Sequence, residues 1–387
     1  MQHRWIAERH RQNEENAMTA ADQNAKAYPD LINLSLGDPD LITDEVIIEA
    51  AFADAKAGHT KYTDFQGDPE LRREIIRYYD EEFAMPVADN EVIVTTSGTM
   101  AMYMALEAML NEGDEVLMPT PCFTPYPGQV RLARGVPVPV ETRGNEDFQI
   151  SPQQLEQHLT GKTKAIILNT PSNPTGAVLT QKTLEGVAAF AKQHDLVVIA
   201  DEIYTLYQYS GAFSPFAKLP GMAERTVTIN SFSKDYIMTG WRVGCAIGPD
   251  FLIDAMRHVM GNVAFTCPSV SQRAALYALR NRKTIQPKIR AEYEKRVFAA
   301  AAHISRIPKL SVRPPEGTFY LFADITATGK SSAQVADAIL HEAHVLVLPG
   351  DVFGPGGEGY IRIACTCGVE KMDEALDRVA AVEIFQA

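Results

Sequence analysis

The chain has no apolar run near the ~20 residues that cross a bilayer. Its opening stretch, MQHRWIAERHRQNEEN, lacks the apolar core of a secretory leader. Neither a membrane protein nor an exported one is expected. Cysteine is sparse: five residues, an odd number, scattered at Cys122, Cys245, Cys267, Cys365 and Cys367. That speaks against a disulfide framework and for reduced thiols, so the expected location is cytoplasmic. Cys365-x-Cys367 has no second ligand pair at zinc spacing, and no metal site is expected. Positive charge is also short, with 36 Lys+Arg against 49 Asp+Glu and a net charge of −13. A nucleic-acid partner would need clustered cations and is not expected. A small anionic ligand is still allowed, because a few buried cations can hold one whatever the net charge.

What is present is an ordinary globular composition, 46% hydrophobic and 22% charged over 387 residues. At the usual ~100–200 residues per domain, two domains are expected. Short β-rich runs at 92–96, 115–118, 165–169, 197–201, 226–230 and 243–247 alternate with amphipathic stretches at 100–110, 181–194 and 251–260. KAIILN and LVVIAD read as continuous apolar runs, the pattern of strands buried on both faces. The alternation predicts an α/β domain with a mostly parallel sheet over residues 45–282. Beyond 283 the rhythm changes to a long charged helix (284–306), then EGTFYLFADI and EGYIRIAC as strands. These residues, with 1–44, are expected to form a smaller α+β domain. The first ~15 residues are expected to be mobile, as termini often are.

Several strand ends carry polar chemistry. VIVTTSGTMAMYMALEAML (92–110) runs strand, Ser97-Gly98-Thr99, helix. Small residues there let backbone N–H groups and hydroxyls surround an anion, although the same turn also serves as a plain N-cap. Met100, Met102 and Met104 read as core. NTPSNPTG (169–176) is a turn-rich loop or a ligand loop contributing Asn173. VVIADEIY (197–204) ends an apolar strand on Asp201-Glu202, where an acid loses solvation unless it meets a partner. SFSKDYIMTGWRVG (231–244) sets Lys234 among hydroxyls, with Arg242 eight residues on. All these ends fall on one edge of the predicted sheet, so one crevice can collect them. In that company Lys234 reads as a reactive amine and Arg242 as an anion ligand, rather than as surface charge.

In this order, S-x-S-K, an arginine at plus eight, N-P-T-G, D-E-x-Y and a late arginine, the chain resembles the class I/II aminotransferases, pyridoxal-phosphate enzymes of fold type I that include the aspartate and aromatic transaminases. The resemblance covers LSLGDPD (34–40) to YIRIAC (360–365). It implies pyridoxal 5′-phosphate as cofactor, a homodimer with active sites at the interface, and amino-group transfer between an L-amino acid and a 2-oxo acid. It implies that Lys234 forms the Schiff base and shuttles a proton, and that Asp201 pairs with the pyridinium nitrogen. Tyr204 and Asn173 would bond the ring's 3′ oxygen, and Phe123 would stack on the ring. Ser97, Gly98, Thr99, Ser231, Ser233 and Arg242 would surround the phosphate, with Tyr62 from the partner subunit. Arg362 would clamp the substrate carboxylate and Gly37 would close on it. Two departures from the family pattern, Ile237 and Leu41, touch no catalytic group.

Two other readings share the cofactor residues: a carbon–sulfur β-lyase on the same fold, and a non-catalytic regulator, for whose DNA-binding module the chain has no room. GPGGEG (354–359) precedes a strand instead of following one, so it is read as a flexible turn and not a dinucleotide fingerprint. His341 and His344 lack zinc-protease spacing and are expected on a surface helix.

Overall fold

The computed structural model describes residues 5–7 and 28–386. Apart from 5–7, the expected mobile terminus and the start of the expected small domain lie outside the described residues. The first strand, β1 (Ile32–Asn33), belongs to a small parallel pair described below. The seven that follow form one sheet: β2 (Val92–Thr95), β3 (Glu115–Thr120), β4 (Val136–Glu141), β5 (Thr163–Asn169), β6 (Val197–Asp201), β7 (Thr226–Ser231) and β8 (Gly244–Ile247). Their order is β2-β8-β7-β6-β5-β3-β4, parallel except for β8, which runs antiparallel to both neighbours.

Alternation along the strands explains the two-sided burial. Ile93, Ile167 and Ile199 face one core, with the helices Gly98–Met109 and Asp250–Val263 packed over it. Their neighbours Ile166 and Val198 face the opposite core, under the helix Gln181–Gln193. Ile199→Ala would cost about 2–5 kcal/mol as a core truncation.

The sequence reading missed β4, VPVPVE, because two prolines argue against a strand. The strand pairs only with β3 and lies at the sheet edge, where one side needs no ladder donors. The helix Ser269–Arg280 was also missed, and the long helix spans Arg282–Ile304.

The remaining strands come late in the chain. β9 (Tyr320–Asp324), β11 (Leu348–Pro349) and β12 (Tyr360–Ala364) form an antiparallel sheet, and β10 (Val345–Leu346) pairs with β1. GPGGEG is not a loose turn. A Cβ on Gly357 would lie 2.0 Å from the Gly350 carbonyl, and one on Gly356 (φ +81°) would lie 2.3 Å from the Thr142 carbonyl. Backbone packs there without room for a side chain, and this holds β12 against the large sheet. His341 is exposed in the short π-helix Ile339–Ala343, and His344 caps it.

Candidate active site

Register brings the polar strand ends together. Asn169 on β5 lies beside Asp201 on β6, and Ser231 on β7 lies beside Gly244 on β8, itself opposite Thr95 on β2. A cavity of about 460 Å³ opens at this edge. Ser97, Gly98, Thr99, Phe123, Asn173, Asp201, Tyr204, Ser231, Ser233, Lys234, Arg242, Arg362 and Gly37 all line it. Of the site residues that the resemblance implied, Tyr62 alone does not. It is 81% exposed and packs edge-on against Phe265, away from this chain's cavity.

Lys234 sits in the one-turn helix Phe232–Asp235 directly after β7. Its Nζ donates to the Gly37 carbonyl at 2.5 Å, and Tyr207 donates to the Lys234 carbonyl at 2.8 Å. Burial pulls its pKa down to about 8, with Arg362 and Arg242 pushing the same way and Asp38 opposing. Asp201 is buried at the end of β6. It accepts from the Tyr126 hydroxyl at 2.5 Å through Oδ2 and from the Ile203 N–H at 3.3 Å through Oδ1. Burial lifts its pKa to about 6, and these two hydrogen bonds hold it back.

Glu202, one residue on, points elsewhere. Its Oε1 accepts from the Phe216 N–H at 2.8 Å, its Oε2 has no partner, and burial raises its pKa to about 8.

The cradle at β2 is tight. Ser97 Oγ caps the helix by accepting from Met100 N–H at 3.0 Å, and Ser231 Oγ meets Ser233 Oγ at 2.9 Å. A Cβ on Gly244 would lie 2.7 Å from Gly98 N, so only glycine lets β8 run this close. Arg242 adopts a left-handed backbone (φ +53°) at the turn into β8, and its Nη1 donates to the Thr239 carbonyl at 2.7 Å.

Across the cavity, Arg362 on β12 is 2% exposed. Its Nη1 donates to Asn173 Oδ1 at 2.8 Å and its Nη2 to the Ser35 carbonyl, while Nε has no partner.

The sequence reading missed Tyr126, Asn169 and Tyr320. Tyr126 lies three residues after Phe123 at the start of the helix Pro125–Leu132, and Asn169 donates to the Asp201 carbonyl at 2.9 Å. Met104 is core, as read, whereas Met102 is both core and cavity wall.

These residues fit pyridoxal phosphate. A buried guanidinium with an open Nε calls for an anion, a buried carboxylate calls for a cationic partner, and the hydroxyl-lined helix start suits a phosphate. Among the described residues, no group of three or more His, Cys, Asp or Glu is placed to hold a metal, and no helix is long and apolar enough to cross a membrane.

The sheet, the lysine at its edge and the small antiparallel sheet define a fold type I pyridoxal-phosphate enzyme. The family model for aminotransferase class I and II matches residues 29–379. A putative aminotransferase of Bacillus subtilis is 41% identical over 90% of both chains. Aromatic-amino-acid aminotransferase 2 of Thermococcus litoralis is 40% identical over 92% of this chain and 93% of its own. The solved structure of a Thermus thermophilus aspartate aminotransferase with maleate matches with a TM-score of 0.93 at 33% identity, covering 98% of this chain and all of that one. The chain belongs to the class I and II aminotransferase family and is a pyridoxal-phosphate-dependent transaminase.

Proposed function

We propose that this aminotransferase holds its cofactor through Lys234 and takes aromatic L-amino acids as its favoured donors, with a 2-oxo acid as acceptor. The observation that carries the site is the shared cavity. Lys234 Nζ, Asp201 and Arg362 line one buried space, and Lys234 has a pKa of about 8. Bound pyridoxal phosphate supplies an electron sink for a substrate that loses its Cα proton.

Lys234 Nζ, poised near neutrality, takes that proton and returns it. Asp201, anionic above about pH 6, holds a positive ring nitrogen in place. Ser97, Gly98, Thr99, Ser231, Ser233 and Arg242 take the phosphate. Asn173 and Tyr204 would hydrogen-bond the ring oxygen, and Phe123 would stack on the ring, all three lining the cavity. Arg362 grips the substrate carboxylate through its fork, and Gly37 closes over it.

Support for aromatic donors is the wall. Its cations are Lys234, Arg242 and Arg362, each already assigned, and Leu36, Met102, Phe123, Ile203 and Tyr320 supply apolar surface. The Thermococcus relative carries an aromatic name and the Thermus one an aspartate name.

The domain division, 45–282 against 1–44 together with 283–387, is supported by the strands, since the large sheet lies wholly in the first range while β1 pairs with β10 and β9 to β12 fall in the second. A homodimer in which Tyr62 reaches the partner's phosphate is supported by the exposed cluster of Tyr62, Phe65 and Phe265. A cytoplasmic location is supported by five free thiols.

The test is an amino-acid panel with 2-oxoglutarate. Glutamate formation, faster with phenylalanine or tyrosine than with aspartate, is expected. Aspartate ahead by tenfold would overturn the donor preference, and pyruvate with ammonia in place of glutamate would favour a lyase.

A further inference from the structure

Tyr320 opens β9 and is 3% exposed in the cavity wall. It lies opposite Ala364 on β12, which makes Arg362, opposite Phe322, its diagonal neighbour on the same face. Three contacts converge on it. The Arg362 guanidinium lies 4.4 Å from the Tyr320 ring centroid, with Phe353 at 4.9 Å from the same cation. The Tyr204 hydroxyl donates to the Tyr320 hydroxyl at 3.3 Å. A Cβ on Gly37 would lie 1.7 Å from the Tyr320 hydroxyl, so the N-terminal strap closes here only as glycine.

We infer that Tyr320 is a positioning residue that links the two halves of the site, its ring holding Arg362 in plane and its hydroxyl supporting the proton that Tyr204 offers the cofactor. The inference rests on the roles proposed above for Arg362 and Tyr204. Asn173 and Ser35 fix the guanidinium at its edges, the aromatic faces stop it tilting, and its buried Nε has no partner within the chain.

A phenol has one proton and two acceptor sites. Where Tyr204 would donate a hydrogen bond to the cofactor's ring oxygen and keep its own proton, Tyr320 can donate to Tyr204 in turn, and the chain of hydroxyls would strengthen that donation. These hydrogen bonds would favour the anionic form of the ring oxygen, so that the bound chromophore would lose its proton at lower pH. Lys234, Asp38, Asp201, Arg242 and Arg362 face the same cavity, and Tyr320→Phe, which keeps the ring, removes none of them.

The test uses holoenzyme variants, with spectrophotometric pH titration of the visible band alongside KM and kcat. Tyr204→Phe should raise the titration midpoint. Tyr320→Phe, which keeps the ring, should raise it in the same direction by about half a unit, the scale of one hydrogen bond. Tyr320→Leu should add a rise in KM for every amino acid on the order of tenfold, from the lost stacking. If Tyr204→Phe moves the midpoint and Tyr320→Phe does not, the link between the hydroxyls is wrong and the reading of Tyr204 stands. If neither moves it, the reading of Tyr204 falls and this inference falls with it. If Tyr320→Leu raises KM no more than Tyr320→Phe, the ring does not hold Arg362. Tyr320→Phe nearly conserves volume, so it carries the test even if the leucine variant fails to fold.

Discussion

Tyr126 gives its phenolic hydrogen to Asp201 Oδ2 at 2.5 Å, joining the helix after β3 to the end of β6 inside the site. The bond favours the carboxylate over the acid and works against burial. Tyr126→Phe therefore lifts the Asp201 pKa above about 6. The acid limb of the kcat/KM profile should move to higher pH by about one unit, and activity at neutral pH should fall about twofold. An acid limb that stays put would remove Tyr126 from the account.

Arg362→Lys keeps the charge and loses the fork. Because the α-carboxylate is common to all substrates, KM should rise strongly and about equally for aspartate, phenylalanine and alanine, on the order of tenfold or more. The visible spectrum of the resting enzyme should not change. A loss confined to one substrate would mean that Arg362 reads the side chain.

Gly37 leaves no space for a methyl, which would lie 1.7 Å from the Tyr320 hydroxyl. Gly37→Ala should displace the strap that carries the carbonyl facing Lys234, and raise KM by roughly tenfold while the protein stays folded. Unchanged KM would show that the strap plays no part in substrate binding.

Glu202 gives a pH dependence of stability that is separate from catalysis. Its carboxyl keeps its proton to about pH 8 when folded, against an ordinary 4.5. Its stabilising contribution is therefore complete below about 4.5 and is lost as pH rises to about 8. Glu202→Gln keeps an acceptor for the Phe216 N–H and cannot ionise. Urea unfolding at pH 5 and pH 8 should show the variant gaining on the parent at pH 8, by a few kcal/mol at most. An equal difference at both pH values would place the ionisation elsewhere.

Much of this site could be read from the chain because catalytic groups sit at strand ends, where small residues, acids and a lysine interrupt apolar runs. Ser97 and Lys234 follow, and Asp201 ends, a strand that periodicity identified. Arg362 was legible through resemblance rather than periodicity, since nothing local to YIRIAC says what faces it. Tyr126 and Tyr320 were not legible, because an aromatic after a strand or inside one looks like core. Only the register of β9 with β12, and the placement of the helix Pro125–Leu132 that brings the Tyr126 hydroxyl to Asp201, give them partners. β4 was hidden by its prolines, which are tolerated because an edge strand leaves one side unpaired. The packing of GPGGEG was hidden because glycine signals both looseness and close approach, and the sequence does not say which.

The central claim is that Lys234 is the amine that holds the cofactor. Borohydride treatment of the holoenzyme, followed by proteolysis and mass spectrometry, tests it most directly. The account predicts one modified peptide, containing SFSKDYIMTGWR with the cofactor fixed on Lys234, and loss of that label and of glutamate formation in Lys234→Ala. A label on any other lysine, or transamination that survives in Lys234→Ala, would contradict it.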